Sequence, residues 1–400
     1  MNIITNEKMQ KIYLILTVGT PGVIRLLVLF TLAKFTTLEL VGVLVYKWAI
    51  VLMISMITVD GFSALLSSRL PPKKSNAARI RIISKQLSNG LSLMPLAIII
   101  WFVFDSKFSV GDIVFCLCWF FYGMTRYLLI TLRKYRTVLI IELLSLLLML
   151  MIIILGRAYI SDVTIGYLFM PLGFLSIAVL ILYYGFKVIF KIRPSFEFIG
   201  IKFGITNLLS GGVGQAVIPV VKVIYGEILT GYIGIILSIL NFLLLVPRAM
   251  AQYYLPRLSM AAKPRKYQLY NDYRKKIHMV LSISLFAMPI LWLLITEFYI
   301  NFGNGNQYLL MFIMIYLSLL GGQLSLPSAN YFMVQELPKY LLFSNYIHVI
   351  FVVLLAFPVI YFVPVDGVIG VSFVYFIVML SNVLRYIYMG ITVRKLERVV

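Results

Sequence analysis

The 400 residues are 62% hydrophobic and only 12% charged, with a mean hydropathy of +1.00, against roughly 45–50% apolar and 25% charged in an average soluble domain. That balance excludes a soluble globular domain and identifies a polytopic membrane protein. Its charge is one-sided, 35 Lys and Arg against 14 Asp and Glu for a net of +21, and in a chain that lies in lipid this speaks for membrane topology and against nucleic acid.

The N-terminal "MNIITNEKMQK" has no small-residue cleavage site before a short apolar core, so no cleaved signal peptide is expected and the first apolar segment stays as a helix. A helix rising 1.5 Å per residue needs roughly 20 mainly apolar residues to cross about 30 Å of hydrocarbon. Twelve such runs occur, near residues 12–33, 39–66, 83–104, 110–132, 138–155, 163–186, 203–225, 231–256, 277–299, 308–332, 341–363 and 367–390.

The first span holds Arg25 in "TPGVIRLLVLF". It lies roughly 13 Å from the nearer end of its span at helical rise, too deep for easy access to either surface. A central Arg, Lys or Asp costs about 2.5–3.5 kcal/mol in hydrocarbon and usually faces a bundle interior or a water-filled cavity. In the second span Lys47 of "VLVYKWAIV" is a cavity candidate, with snorkelling past Trp48 as the rival. Asp60 of "ITVDGFS" is an exception among so many cations, and its plain role would be a buried partner for one of them.

Cys116 and Cys118 in "FCLCWFF" of the fourth span have no second pair or histidine nearby and read as packing residues, with no metal site. Arg126 in that span and Arg385 in the twelfth stand within about two turns of the cytoplasmic ends and are expected to snorkel, and Glu142 begins the fifth span just after Arg136. The seventh span carries Lys222, a turn from its loop, which either joins the cavity or snorkels and pairs with Glu227. In the eighth, Arg248 follows Pro247 and is a cavity candidate beside a kink point, since proline removes a backbone donor. "LLSGGVGQAVIP" and "LLGGQLSLPSAN" combine small residues with proline, consistent with close packing, bending or local unwinding. His348 in the eleventh span reads as a packing histidine, with a proton carrier as the rival. Neither a Walker-type loop nor a nucleophile triad is present, so no catalytic residue is assigned.

The connections alternate in charge. One set, with Lys8 and Lys11, holds about 26 of the basic residues, while the other holds only Lys34, Lys107 and Arg157, which places both termini in the cytoplasm. The second set of loops is short throughout, leaving no room for the external domain expected of a membrane glycosyltransferase or polymerase. A weak internal repeat sets Gly42 opposite Gly234 and Arg69-Leu70 opposite Arg257-Leu258, at offsets of about 190 residues. Six helices followed by six of equal topology give two parallel lobes, 1–193 and 194–400. Arg25, Lys47, Lys222 and Arg248 would then supply basic groups from both lobes, and four cations converging in a low-dielectric cavity would attract an anion strongly, phosphate or pyrophosphate being the natural guest.

Twelve spans, inward termini, small outer loops, "VGVLVYKWAIVLMIS" and "GYIGIILSILNFLLLVPRAMAQYYLPRLS" together resemble the Wzx-type O-antigen flippases of the MOP (MATE-like) exporter superfamily. The resemblance implies an all-α integral membrane protein, not an enzyme, in the bacterial cytoplasmic (inner) membrane. It implies alternating-access transport of an undecaprenyl-pyrophosphate-linked oligosaccharide to the periplasmic leaflet, with Arg25, Lys47, Lys222 and Arg248 on the pyrophosphate. It further implies contact with membrane lipids, a polysaccharide polymerase and chain-length machinery as partners, no cofactor, and coupling to an H+ or Na+ gradient, for which Asp60 and His348 are the candidates. The rival within the superfamily is a cation-coupled multidrug exporter, which would place carboxylates in its lobes.

Overall fold

The computed structural model describes residues 2–70, 75–104, 108–261, 263–298, 305–335, 337–362 and 366–398, and every regular element among them is helical. In chain order these are α1 (Asn2–Phe35), α2 (Leu38–Ser55), α3 (Gly61–Arg69), α4 (Asn76–Ser92), α5 (Met94–Phe104), α6 (Val110–Thr131), α7 (Tyr135–Gly156), α8 (Met170–Tyr184), α9 (Lys187–Phe190), α10 (Phe198–Asn207), α11 (Val213–Tyr225) and α12 (Glu227–Leu243). They continue as α13 (Leu245–Met260), α14 (Lys263–Phe298), α15 (Gly305–Leu324), α16 (Leu326–Val334), α17 (Pro338–Phe362) and α18 (Gly367–Arg398). Eleven stretches among the described residues are long and apolar enough to cross a membrane, and a twelfth appears if α12 and α13, bent by 54°, count as one span.

The chain divides into two compact units, Met1–Ile235 and Ile236–Val400. In the first, α1 runs along α7, α6 packs on α8, α2 on α11 and α3 on α10. On α7 the buried residues Val138, Ile141, Glu142, Ser145, Met149 and Ile153 fall at helical spacing, while Leu143, Leu147 and Leu155 on the other side are exposed. A helix that turns its polar residues inward and leaves leucines exposed on the other face is built to meet lipid there. Beneath it lies an aromatic nucleus in which Phe115 stacks on Phe169 at 3.8 Å and Trp48 meets Phe169 edge-on at 4.8 Å.

Two termini show how polar residues place these helices. Ser109 and Asp112 form a capping box at the start of α6, Ser109 Oγ accepting from Asp112 N while Asp112 Oδ2 accepts from Ser109 N at 2.9 Å. The two glycines aligned by the internal repeat lie at one close crossing: a Cβ on Gly42 of α2 would fall on the Glu227 carbonyl, and one on Gly234 of α12 would fall on Val45. In lipid, where helix association depends on contact distance, such small residues let two backbones approach.

The second and seventh spans are each interrupted by a π-helical turn, Met56–Asp60 and Leu208–Gly212. Hydroxyls crowd the backbone at both. Ser55 Oγ donates to Leu52 O at 2.9 Å and Thr58 Oγ1 to Ile54 O at 3.0 Å, and Thr206 Oγ1 donates to Lys202 O at 2.9 Å and Ser210 Oγ to Asn207 O at 3.0 Å. Such back-bonding competes with the helical ladder and bends it.

The expected eighth span, 231–256, is not one straight helix. Pro247 has no N–H for the first turn of α13, Leu244 N turns to Asn241 O at 3.2 Å, and the Asn241 amide Nδ2 donates to Leu237 O at 2.7 Å, so the axis breaks at Leu244. In the second unit α15 and α18 lie along each other, α17 packs on α18, and α13 on α14 and α16. The basic connection before the ninth span is helical as well: α14 begins at Lys263 with Pro264 in its first turn, where a missing N–H costs nothing.

Candidate functional site

Arg25 is buried, 7% exposed, with its guanidinium carbon 5.5 Å from the centroid of the Trp48 ring. Burying a charge in lipid-facing helices needs compensation, and a stacked indole supplies part of it through its quadrupole. The neighbouring Lys47 is 1% exposed and is held on three sides, by Asp112 Oδ1 at 2.9 Å, Asp162 Oδ1 at 2.7 Å and the Asp162 carbonyl at 2.6 Å. Asp112 is itself fully buried. This geometry sets Lys47 against a cargo role: two carboxylates already exceed its single charge, and its donors are spent on the first turn of the fourth span and on the segment that precedes the sixth.

Arg126 does not snorkel. Its Nε donates to Glu142 Oε1 at 2.9 Å and its Nη2 to Thr17 O at 2.7 Å, while Tyr122 OH donates to the same Glu142 oxygen at 2.7 Å. Glu142 is 0% exposed, so the expectation that Arg126 would reach the headgroups is corrected: each is the other's counter-ion inside the unit, which removes any need to reach water. Lys222 takes the pairing alternative, 3.7 Å from Glu227 Oε1 and 3.9 Å from the Tyr46 ring centroid. Asp60 is not a partner of Lys47. It lines a cavity of about 410 Å³ with Ser63, Tyr127, Asn207 and Ser210.

The second unit has a different balance. Arg248, one residue beyond Pro247 at the break, is exposed, and its Nη2 donates to the neutral Asn241 Oδ1 at 3.0 Å. Arg385 is only 7% exposed, which corrects the expectation that it would snorkel, and its Nε has no hydrogen-bond partner among the described residues. His348, 2% exposed, shares a 2.7 Å hydrogen bond between Nδ1 and Ser381 Oγ, and Ser381 Oγ in turn reaches the His348 carbonyl at 3.2 Å. That closed pair fits the packing reading. Among the described residues the buried polar set of this unit contains Arg385 and His348 and no carboxylate, whereas the first unit buries Asp112 and Glu142. Cys116 and Cys118 are free thiols, and no group of three His, Cys, Asp or Glu side chains suited to a metal occurs among the described residues.

No protein-family model matches the sequence, and no curated protein does. The fold has solved counterparts. An aspartate-to-asparagine variant of VcmN, a MATE transporter of Vibrio cholerae, is 12% identical over 98% of this chain and 96% of its own, with a TM-score of 0.64. An inward-facing multidrug resistance MATE family transporter of the MOP superfamily is 13% identical over 97% and 96%, at 0.62. A MOP superfamily transporter from Pyrococcus furiosus, for which reverse polarity of the binding pocket suggests a different function, is 13% identical over 97% and 95%, at 0.59. At such identity the likeness is one of fold.

Proposed function

We propose that this chain, which has the MOP transporter fold, is a flippase of the bacterial cytoplasmic membrane. Its cargo is an anionic lipid-linked oligosaccharide, a prenyl pyrophosphate being the head group that fits best, carried from the cytoplasmic to the outer leaflet by alternating access of two lobes, 1–193 and 194–400. Short outer loops and the resemblance of the whole chain to Wzx-type flippases support the class. Arg248 carries the charge of the cargo: it is an arginine presented on an apolar span, at a helix break, whose hydrogen-bond partner is a neutral amide. An arginine fork in that state is a receptor for two phosphate oxygens. Arg25 and Arg385 add positive charge at depth, Lys222 gives a weaker contribution beside Glu227, and Lys47 has its charge already matched.

The superfamily alternative, an exporter of organic cations, draws on the buried carboxylates of the first unit. Asp112 and Glu142 are consumed by Lys47 and Arg126, whereas Asp60 lines a cavity. The Pyrococcus furiosus protein is a precedent for a pocket of altered polarity on this fold.

The test is complementation of a flippase-deficient strain, scoring surface polysaccharide at equal membrane levels of wild type, Arg25→Ala, Arg248→Ala and Arg248→Lys. Loss with both alanines and partial rescue with Arg248→Lys is expected, because lysine keeps the charge and loses the fork. Full activity of Arg25→Ala and Arg248→Ala, or efflux of cationic dyes by the wild type, refutes the anionic cargo.

A further inference from the structure

The connection between the sixth and seventh spans, "GFKVIFKIRPSFE" (185–197), intersperses lysine and arginine with phenylalanine. Gly185, at φ +71°, turns the chain away from the end of α8, and α9 makes a single turn. Beyond it Pro194 favours extended backbone, whose N–H and C=O groups need partners outside the segment. Serines of α4 supply them. Ser84 Oγ donates to Val188 O at 2.9 Å, Ser88 Oγ accepts from Arg193 N at 2.9 Å and Ser92 Oγ accepts from Ser195 N at 3.1 Å. Residues four apart share one face of a helix, so α4 carries a ladder against which the connection is strapped. Glu197 completes the strap, accepting from Gln86 Nε2 at 3.4 Å and from Asn89 Nδ2 at 3.3 Å.

The same spacing brings Arg81 and Lys85 onto this side of α4, where like charges at i and i+4 repel. They face two more. Arg81, Lys85, Lys191 and Arg193 line one cavity of about 720 Å³, and its lining holds no carboxylate among the described residues. Glu197 pairs with Lys85 at 3.9 Å, and one carboxylate against four cations leaves three positive charges over. The hydroxyl protons of Ser84, Ser88 and Ser195 go to Val188 O, Ser84 O and Asn89 Oδ1. The hydroxyls therefore shape the wall, and the guanidinium and ammonium groups meet the ligand. Two arginine forks with two lysine point charges are suited to phosphate oxygens. The first turn of α4, at Ala77 and Ala78, also lines the cavity and adds the positive end of its dipole.

The position of the cavity indicates where such a phosphate comes from. The third span begins at Asn76, the sixth ends at Tyr184 and the seventh begins at Phe198, so the cavity lies at the level where three apolar spans give way to headgroups. Phe186, Phe190, Phe196 and Phe198 are exposed around it, and Phe190 belongs to the lining. Cations beside exposed phenylalanines match a ligand with a charged head and an apolar tail. A soluble phosphate would make no use of the phenylalanines.

We propose that this cavity binds the phosphate headgroup of an anionic membrane phospholipid, held by Arg81 and Lys85 from α4 and by Lys191 and Arg193 from the strap. The bound phosphate relieves the repulsion across the cavity and bridges α4 to the connection between the sixth and seventh spans, so the stability of the protein depends on anionic lipid. The ligand is a resident lipid, and the site is separate from Arg248 and the transported one.

The experiment is native mass spectrometry of the purified full-length chain from micelles, titrated with dioleoyl phosphatidylglycerol or dioleoyl phosphatidylcholine. No prenyl lipid is present, so the result is independent of the anionic-cargo reading. The wild type is expected to retain phosphatidylglycerol with a preference of about tenfold or more, the effect of one contact to a charge, and to melt at a higher temperature with it bound. Arg81→Gln with Arg193→Gln, at exposed positions, is expected to lose both the preference and the thermal gain. Arg136→Gln with Arg265→Gln removes the same charge at exposed positions elsewhere and keeps both. A wild type without preference overturns the proposal, and so does a preference that survives Arg81→Gln with Arg193→Gln. A preference that falls equally in the control pair reduces the effect to net charge and overturns the site. Inorganic phosphate without lipid is the last arm: a thermal gain from it equal to that from phosphatidylglycerol assigns the cavity to a soluble anion and overturns the lipid.

Discussion

Replacing Lys47 separates a structural cation from a cargo ligand, because the two roles predict different losses. At 2.9 Å from Asp112, the attraction is about 6 kcal/mol for an effective dielectric near 20, and desolvation of two ions offsets much of it. The asymmetry appears when one partner goes. Lys47→Met leaves Asp112 buried at 0% exposure, and breaking a buried pair from one side costs about 3–5 kcal/mol. The lower end applies, about 3 kcal/mol, because the other Asp112 oxygen keeps its bonds from Ser109 N at 2.9 Å and Ser109 Oγ at 2.7 Å. Asp162, with a side chain 49% exposed, adds only about 0–1 kcal/mol. Lys47→Met with Asp112→Asn removes both charges and should recover to within about 1 kcal/mol of the wild type. Unfolding free energies of the four proteins in mixed micelles, combined as a double-mutant cycle, read the coupling directly. A Lys47→Met variant as stable as the wild type but dead in complementation would refute this reasoning and return Lys47 to the cargo site.

Two further outcomes follow from the same geometry. Arg126→Ala strands Glu142 and should cost about 3 kcal/mol in the same micelle assay, Arg126→Ala with Glu142→Gln should recover most of it, and Arg126→Lys should not, since a single ammonium cannot hold both Glu142 and Thr17 in the positions of Nε and Nη2. Pro247→Ala restores a backbone donor and should reduce the 54° bend between α12 and α13; complete straightening would lengthen the separation of spin labels at positions 228 and 253 by about 4 Å at helical rise, and an unchanged distance distribution would show that proline does not cause the break.

The spans were legible because hydrophobic runs of membrane length admit one reading, and the break in the eighth was foreshadowed by Pro247. Partners were harder to read. Lys47 and its carboxylates lie on different spans and loops, 115 residues apart for Asp162, and nothing in "VLVYKWAIV" encodes which loop will arrive above it. "SVGD" at 109–112 does announce a helix cap, yet a cap motif does not tell that the second function of its aspartate is to hold a lysine. Arg126 and Glu142 could have been paired beforehand, because counting from the shared connection "LRKYR" puts both at similar depth on adjacent spans. The π-turns left no such trace: Ser, Thr and Gly in a span are common, and only the packed structure brings Asp60 opposite Ser210.

The Lys47 contact also has an order in time. Ribosomes deliver the second span before either carboxylate exists, and Asp112 follows about 65 residues later, some 3–13 s at ordinary rates of synthesis. During that interval the growing chain carries an uncompensated ammonium in its second span, a penalty of about 2.5–3.5 kcal/mol against a segment whose mean hydropathy of 2.2 is high enough to enter regardless. The fourth span, on arrival, brings the acid to the lysine and closes its own first turn with the same side chain. Membrane integration of the N-terminal half is thus a ratchet, in which a later segment makes permanent the placement of an earlier one.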